Sequence, residues 1–207
     1  MDSLIVILVD GLLFASWIFL ISVGLTLIFG VLRILNMAHG SLYALGAYAG
    51  AALVGAYLAR DFWAFGSYFL LLMAAALVGI IVGPIIERGL LRWIYGKDPN
   101  LQLLLTFALF LILEDATKLV FGVTPYYVTE PYGLLGGVDL GGIRYPAYSF
   151  LLLGVSILSG VLLWLFMNKT NYGRILIAVI HDQEISTAMG VNVPRYFVFA
   201  FSLGTFL

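Results

Sequence analysis

Residues 24–48 have the sequence GLTLIFGVLRILNMAHGSLYALGAY, a strongly apolar stretch that is interrupted by Arg33, Asn36 and His39. Arg33, Asn36 and His39 stand three residues apart, so on a continuous helix they would drift by about 60° per step and share one side. On insertion scales, an arginine at the centre of a bilayer costs about 2.5–3.5 kcal/mol. We therefore expect these side chains to face protein, water or lipid headgroups.

Small residues follow this polar break, at Gly40, Ala44, Ala47, Ala51 and Gly55. They form a narrow stripe on which another helix can approach closely. A polar break that opens onto such a helix is what a solute pathway through a helical bundle requires. The candidate pathway or helix-break residues are Arg33, Asn36, His39 and Gly40.

Three roles fit His39: a hydrogen bond between helices, a place in the pathway wall, or metal binding and proton relay. No second histidine is near it in the sequence, and His181 is predicted to lie in a different loop. Asn36 is expected to satisfy backbone groups at the break. Arg33 is expected to extend its guanidinium to the inner headgroups.

The composition excludes a soluble domain. Hydrophobic residues make up 63 % of the 207 residues and charged residues only 10 %, against about 45–50 % and about 25 % in soluble proteins. The apolar runs match the length that crosses a bilayer as a helix, so we predict an all-α, polytopic membrane protein. The net charge of −1 gives no sign of nucleic-acid binding, and the lack of cysteine excludes disulfides and thiolate metal sites. We expect no metal and no cofactor.

The runs predict about five complete spans and a sixth that stops short, within a single transmembrane domain, 1–207. Asp10 and Gly11 are taken to divide the first run, which has no cleavage site and is therefore expected to be retained. Close helix packing is predicted at Gly46 and Gly50 and at Gly79 and Gly83, both spaced as G-x-x-x-G. The predicted spans are about 11–32, 42–59, 64–86, 101–121, 147–167 and the incomplete 196–207.

Loop charges predict the orientation. Residues 88–100 and 168–195 are rich in Lys and Arg and are placed inside. Residues 122–146 are rich in Gly, Pro and Tyr and are placed outside, as an ordered loop with a small hairpin. Counting back puts the 33–41 break near the inner side, as a loop or a re-entrant turn, and the N-terminus outside.

The inner stretch 168–195 predicts two short helical pieces, with Gly190 as a helix stop. Residues 175–180 are wholly apolar although they lie outside the predicted spans, so they must cover a surface. Two surfaces are open to them. One is the chain's own bundle or the lipid interface, and the other is a cytoplasmic partner.

Two motifs carry a resemblance to a known family. Residues 24–48 look like the signature of permeases of the branched-chain amino acid ABC transporter family, and 173–193 resembles that family's cytoplasmic loop, which docks on the ATPase subunit. The order of the motifs and the spans between them agree with it. The resemblance covers the whole chain, which corresponds to the first two-thirds of family members. The docking residues that it implies are Gly173, Arg174, Ala178, Asp182, Glu184, Ala188 and Gly190.

The resemblance implies an ATP-driven importer in a bacterial or archaeal plasma (inner) membrane. The chain would be a transport subunit and not an enzyme. Its partners would be a second, similar permease, two cytoplasmic ATPase subunits, an extracytoplasmic solute-binding protein and membrane lipid. In keeping with this, Gly96-Lys97 lacks the rest of the phosphate-binding motif G-x-x-x-x-G-K-[ST].

The sequence departs from the family pattern at two places. His181 and Ile185 stand where more polar or smaller residues are usual, and Glu114-Asp115 stand where an amide is common. Glu114 and Lys118 form an i, i+4 pair, which suits either an interfacial ion pair or a contact with the charged groups of a solute.

Other classes of function remain open. A secondary carrier driven by an ion gradient would also suit a broken helix, and family relatives also transport urea or short amides. An intramembrane hydrolase would need a serine elbow or paired buried aspartates, which the sequence lacks. A channel or a purely structural subunit would leave the polar break unexplained.

Overall fold

The computed structural model describes residues 2–124, 126–140 and 142–207, with side chains from Leu4 onward. Pro125 and Gly141, one of the glycines expected in the outer loop, lie outside the described residues. The elements in chain order are α1 (Asp2–Leu32), α2 (His39–Leu58), α3 (Gly66–Leu77), a π-helical turn (Val78–Val82), α4 (Gly83–Gly89), a 3-10 turn (Leu91–Trp93), α5 (Pro99–Phe121), α6 (Glu130–Gly133), β1 (Gly137–Leu140), β2 (Ile143–Pro146), α7 (Ala147–Lys169), α8 (Asn171–His181), α9 (Gln183–Ala188) and α10 (Val193–Phe206).

The predicted all-α membrane fold is confirmed. In the part of the chain that the structure describes, four segments are long and apolar enough to cross a bilayer, namely Leu4–Leu32, His39–Leu58, Gly66–Trp93 and Ala147–Lys169. The 23-residue helix α5 is unbroken, but it carries Glu114, Asp115 and Lys118 in its second half. The number of spans therefore stays a prediction.

Two predicted boundaries are wrong. Helix α1 runs without interruption through Asp10-Gly11, because one glycine in a helix costs only about 1 kcal/mol and the apolar residues on either side favour the helix. The break covers 33–38 and not 33–41, because His39, Gly40 and Ser41 already form the first turn of α2.

Helix α1 packs against α7, α8 and α10, and its C-terminal half supplies the buried residues Leu27, Ile28 and Val31. Gly24 of α1 and Gly204 of α10 bring the two backbones together, and a Cβ at Gly24 would meet the Gly204 carbonyl. On its other side α10 packs on the π-helical turn and α4. There a Cβ at Gly79 would lie 2.7 Å from the Phe206 Cβ, and one at Gly83 would lie 3.0 Å from the Ser202 Cα. Gly79 and Gly83, which were predicted to allow close packing, thus contact α10.

The loops gather at two ends of the bundle. At one end, Arg33 reaches α8, and Tyr95, after the 3-10 turn, packs edge-on against Phe197 of α10. At the other end, the Tyr68 hydroxyl of α3 donates to the Pro131 carbonyl of α6. The predicted hairpin lies at this second end, with β1 and β2 paired antiparallel. This arrangement agrees with the orientation predicted from the loop charges.

Candidate functional site

Arg33 ends α1 and holds α8. Its backbone adopts a positive φ of 54°, and its guanidinium donates to the carbonyl of Ile180, at 2.9 Å, in the last turn of α8. A cation at the C-terminus of a helix satisfies free carbonyls and complements the helix dipole. Arg33 is exposed, which suits the predicted position near lipid headgroups. Its guanidinium nevertheless donates a hydrogen bond to protein, at the Ile180 carbonyl.

Asn36 organises the turn between α1 and α2, as predicted. Its side chain is 3 % exposed, and its Oδ1 accepts from the Ala38 N–H at 3.2 Å. Its carbonyl accepts from the His39 N–H at 3.2 Å. The Nδ2 atom is buried and has no hydrogen-bond partner among the described residues.

His39 forms a link between helices, which was one of its three expected roles. Its Nε2–H donates to the carbonyl of Ile21, in the middle of α1, at 3.1 Å. At 1.5 Å per residue, Ile21 lies about 16 Å along α1 from the Leu32 end. Helix α2 therefore begins deep in the bundle, and residues 33–38, which lead the chain back into it, are called the re-entrant turn below. The His39 Nδ1 is buried without a partner in the described part of the chain.

Helix α5 supports the re-entrant turn from the other side. The Thr106 hydroxyl donates to the Leu35 carbonyl at 3.1 Å, and the Ser41 hydroxyl donates to the Phe110 carbonyl at 3.3 Å. Polar side chains of α2 and α5 thus satisfy carbonyl groups within the bundle, as buried backbone requires. Alternate residues of this non-helical segment, Ile34, Asn36 and Ala38, are buried, whereas Leu35 and Met37 are about half exposed.

A large apolar cavity of about 790 Å³ lies between α1, α2, α3, α7 and α10. His39 and Gly46 line it, and its other polar groups include Tyr43, Tyr148 and Ser159. The structure places Gly46 differently from the prediction, because a Cβ there would meet nothing within 4 Å. The neighbouring Gly50 does sit at a helix contact, where a Cβ would lie 3.1 Å from Leu71 Cδ2 of α3.

A smaller cavity of about 260 Å³ lies between α2 and α5. The Lys118 ammonium contacts the Glu114 carboxylate at 2.7 Å and the Asp115 carboxylate at 3.7 Å. The sequence spacing of Glu114 and Lys118 predicts this pair, but not its position beside Gly40. The lining residues are Gly40, Ser41, Ala44, Tyr48, Phe110, Glu114, Thr117, Lys118 and Gly122.

The apolar face of α8 covers the chain's own bundle. Leu176 and Val179 are fully buried, and α8 packs against α7 and α1. Gly173, predicted as a docking residue, is buried at the α7–α8 crossing, where a Cβ would meet the Phe166 carbonyl. Because these apolar residues are used within the chain, they do not by themselves indicate a partner.

An exposed surface remains on α8 and α9, which we call the α8–α9 surface. It consists of Arg174, Ala178, Glu184, Ile185, Ala188 and Met189. Ile185 is 60 % exposed and Met189 80 % exposed, although both lie outside the membrane-spanning segments. Asp182 caps α9, since its Oδ1 accepts from the Ile185 N–H at 2.9 Å. Gly190 follows α9 with a φ of +86°, as expected of a helix stop.

Sequence reasoning missed one buried polar pair at the Arg33 end. Glu87 is 1 % exposed, and its Oε1 accepts from the Tyr95 hydroxyl at 2.8 Å. Burial raises the pKa of Tyr95, and the hydrogen bond to Glu87 raises it further, so the phenol stays protonated. The two residues are eight apart, but α4 ends between them, so no continuous helix places them on one face. Only a carboxylate at the end of a long apolar run, next to Arg88, could have drawn attention to Glu87.

The described residues contain no group of three His, Cys, Asp or Glu side chains that could hold a metal ion. Apart from the Glu87–Tyr95 pair, the candidate functional groups lie in two separate regions. One is the re-entrant turn with its two cavities, and the other is the α8–α9 surface.

Comparison with known proteins identifies the relatives of this chain. A family model described as "Branched-chain amino acid transport system / permease component" matches residues 7–207. The high-affinity branched-chain amino acid transport system permease protein BraD of Pseudomonas aeruginosa is 26 % identical over 210 residues, covering 97 % of this chain and 66 % of BraD. The permease protein LivH of the same description from Escherichia coli K12 is 23 % identical over 206 residues, covering 94 % of this chain and 65 % of LivH.

LivH of Salmonella typhimurium is 22 % identical over 206 residues, which cover 94 % of this chain and 65 % of that protein. The chain thus spans about two thirds of the length of these relatives. No solved structure matches.

Proposed function

Because the chain belongs to the family of branched-chain amino acid transport permeases, we propose that it is a membrane-spanning subunit of an ATP-driven importer. The importer carries branched-chain or related amino acids across the plasma membrane of a bacterium or archaeon. Its other parts are a second, similar permease, two cytoplasmic ATPase subunits and an extracytoplasmic binding protein that delivers the solute.

The observation that carries the proposal is the α8–α9 surface. Ile185 and Met189 expose most of their apolar side chains outside the spans, and Arg174 and Glu184 lie exposed on the same two helices. Exposed apolar groups rimmed by charge are typical of a protein interaction site. The surface lies at the end of the bundle that the loop charges predict to be cytoplasmic, where an ATPase subunit would bind.

The contacts of α8 supply a route from this surface to the pathway. Helix α8 packs on α1, and Arg33 ties its last turn to the start of the re-entrant turn. That turn positions His39 and the first turn of α2. A displacement of α8 by the ATPase would therefore act on the helix that borders both cavities. Rigid helices joined by hydrogen bonds can transmit such a movement.

A secondary carrier driven by an ion gradient is the second candidate function. The start of α2 deep within the bundle favours it, because broken helices bind solutes and ions in secondary carriers. The two candidates differ in their energy source, which is ATP for the importer and an ion gradient for the carrier.

The test uses the full-length permease, reconstituted in proteoliposomes with its second permease and ATPase subunits, and with the solute-loaded binding protein supplied. Uptake of radiolabelled leucine should require ATP and should persist when ionophores abolish the ion gradients. Uptake that follows the gradients and ignores ATP would instead establish the carrier.

A double variant tests the role of the α8–α9 surface. Replacing Arg174 and Glu184 together by alanine should abolish co-purification of the ATPase subunits while the permease still inserts in the membrane. The control replaces Lys169 and Glu130, one basic and one acidic residue that lie on α7 and α6, away from this surface. Retained co-purification in the Arg174 and Glu184 variant would show that the ATPase binds elsewhere.

A further inference from the structure

We propose that the 260 Å³ cavity between α2 and α5 binds the zwitterionic head group of an α-amino acid. In this site Glu114 faces the ammonium group of the solute, and Lys118 faces its carboxylate. The inference rests on the proposed function, since it assigns the solute site of the same importer to side chains of this chain.

The charged face of α5 does not suit a lipid environment. The side chains of Glu114, Asp115 and Lys118 are 44 %, 77 % and 49 % exposed. Glu114 lies seven residues before the end of α5, or about 10 Å along the helix. Charged side chains at such depth face a bundle interior or a water-filled cavity and mark solute pathways. This face of α5 therefore borders water or another protein subunit.

The charges match a solute that carries both signs. Lys118 has two carboxylate neighbours, at 2.7 Å and 3.7 Å, so it keeps one of them when Glu114 turns to a ligand. The three side chains sum to a charge of −1, which favours the approach of an ammonium group. An α-amino acid supplies that group together with a carboxylate for Lys118, and the bound state then remains paired throughout.

The first turn of α2 adds donors for the same carboxylate. No side chain caps the start of this helix, and the N–H groups of Gly40 and Ser41 donate to no other residue in the described part of the chain. Both residues line the cavity beside Lys118. Free N–H groups and the positive end of a helix dipole favour an anionic group at this position.

The remaining wall suits an apolar side chain of limited size. Ala44, Tyr48 and Phe110 line the cavity, and Tyr48 stacks on Phe121 with ring centres 5.6 Å apart. Tyr126 of the outer loop packs edge-on against Tyr48, with ring centres 6.0 Å apart. The volume falls just below the about 300–1,000 Å³ of sites for drug-sized ligands, so it suits one amino acid.

The first experiment measures ATP-driven leucine uptake by proteoliposomes that contain the complete importer with full-length permease. Glu114→Gln and Lys118→Met should each lower the uptake rate by about 10- to 100-fold, which is the usual effect of losing a hydrogen bond to a charged group. Glu130→Gln is the control, because it removes a carboxylate of the outer loop that neither lines the cavity nor contacts Lys118. Its uptake should stay within about threefold of the wild type.

Exchanging the charges of Glu114 and Lys118 tests whether the two side chains bind solute or only form a structural ion pair. The double variant Glu114→Lys, Lys118→Glu keeps an i, i+4 ion pair but puts the carboxylate where the ammonium was. Uptake should remain as low as in the single variants. Wild-type uptake by the exchanged variant, or by Glu114→Gln and Lys118→Met, would overturn the inference.

The second experiment detects the solute in the cavity directly. The chain has no native cysteine, so Ala44→Cys places one thiol in the wall of this cavity and Ala47→Cys places one in the large apolar cavity. In an importer whose partner subunits lack cysteine, a small cationic methanethiosulfonate should modify Ala44→Cys. Leucine should slow that reaction at least fivefold, and 4-methylpentanoate, which lacks the ammonium group, should slow it less. The Ala47→Cys reaction should show no leucine dependence.

The outcomes distinguish the two levels of the proposal. If the wild-type importer shows no ATP-driven leucine uptake, the proposed function itself fails. If it transports leucine but Ala44→Cys is unreactive, or reacts equally fast with and without leucine, only the assignment of this cavity fails.

Discussion

Replacing Gly24 by alanine tests the backbone contact between α1 and α10. The new Cβ would meet the Gly204 carbonyl, which belongs to the backbone of a buried helix and cannot turn away as a side chain can. Overpacking of this kind costs about 1–3 kcal/mol. Alanine also improves helix propensity over glycine by about 0.5–1 kcal/mol. Because the clash is with backbone, we take the upper part of the first range, about 2–3 kcal/mol, which leaves a net loss of stability of about 1–2.5 kcal/mol.

The matched control is Gly46→Ala, another helical glycine that gains the same propensity. Its Cβ would enter the large cavity with nothing within 4 Å, so this variant should be as stable as the wild type or slightly more so. For a chain of this size, 1 kcal/mol corresponds to about 2–4 °C. The melting temperature of the purified importer should therefore fall by about 2–10 °C for Gly24→Ala and should not fall for Gly46→Ala.

The assay is thermal denaturation of the detergent-solubilised importer, followed by the fraction that remains assembled on size-exclusion chromatography. Equal melting temperatures for the two variants would refute the reasoning, because the difference between them depends only on packing. A fall at Gly46 with none at Gly24 would show that α2, and not α10, packs at a glycine contact in the assembled importer.

Three further changes test other contacts of the fold. Arg33→Ala removes the hydrogen bond to Ile180, so amide hydrogen exchange in α8 should become faster, and an unchanged rate would show that packing alone holds the helix. Glu87→Ala leaves the Tyr95 hydroxyl buried without an acceptor, which should cost about 1–3 kcal/mol of stability. Glu87→Gln keeps an acceptor, so its melting temperature should stay closer to that of the wild type. Equal melting temperatures for the two variants would exclude the hydrogen bond as the cause. Gly173→Ala should separate α8 from α7 and lower the yield of importer with bound ATPase, and a normal yield would contradict the close approach of these helices.

Local patterns predicted the elements of this protein well. Long apolar runs predicted the helices, because a helix in a bilayer must satisfy its own backbone and present apolar residues all round. The glycine-rich loop predicted the hairpin of β1 and β2, and Gly190 predicted the end of α9. The spacing of Glu114 and Lys118 predicted their ion pair. Each of these features depends on residues that are close together in the chain.

The partners of these elements depend on residues that are far apart. Nothing near Gly24 indicates that it meets Gly204, or that His39 reaches the Ile21 carbonyl. The sequence grouped Gly46 with Gly50 by spacing, but tertiary packing put one in a cavity wall and the other at a helix contact.

The sequence by itself thus determined a helical membrane protein with a polar break and an amphipathic inner segment, because burial in lipid and helix periodicity act locally. Only the tertiary structure decided that the break re-enters the bundle, that the apolar face of α8 covers its own core, and that Gly40 lies beside Lys118. Those arrangements follow from which helix surfaces fit closest together, and that fit depends on the whole set of packed side chains.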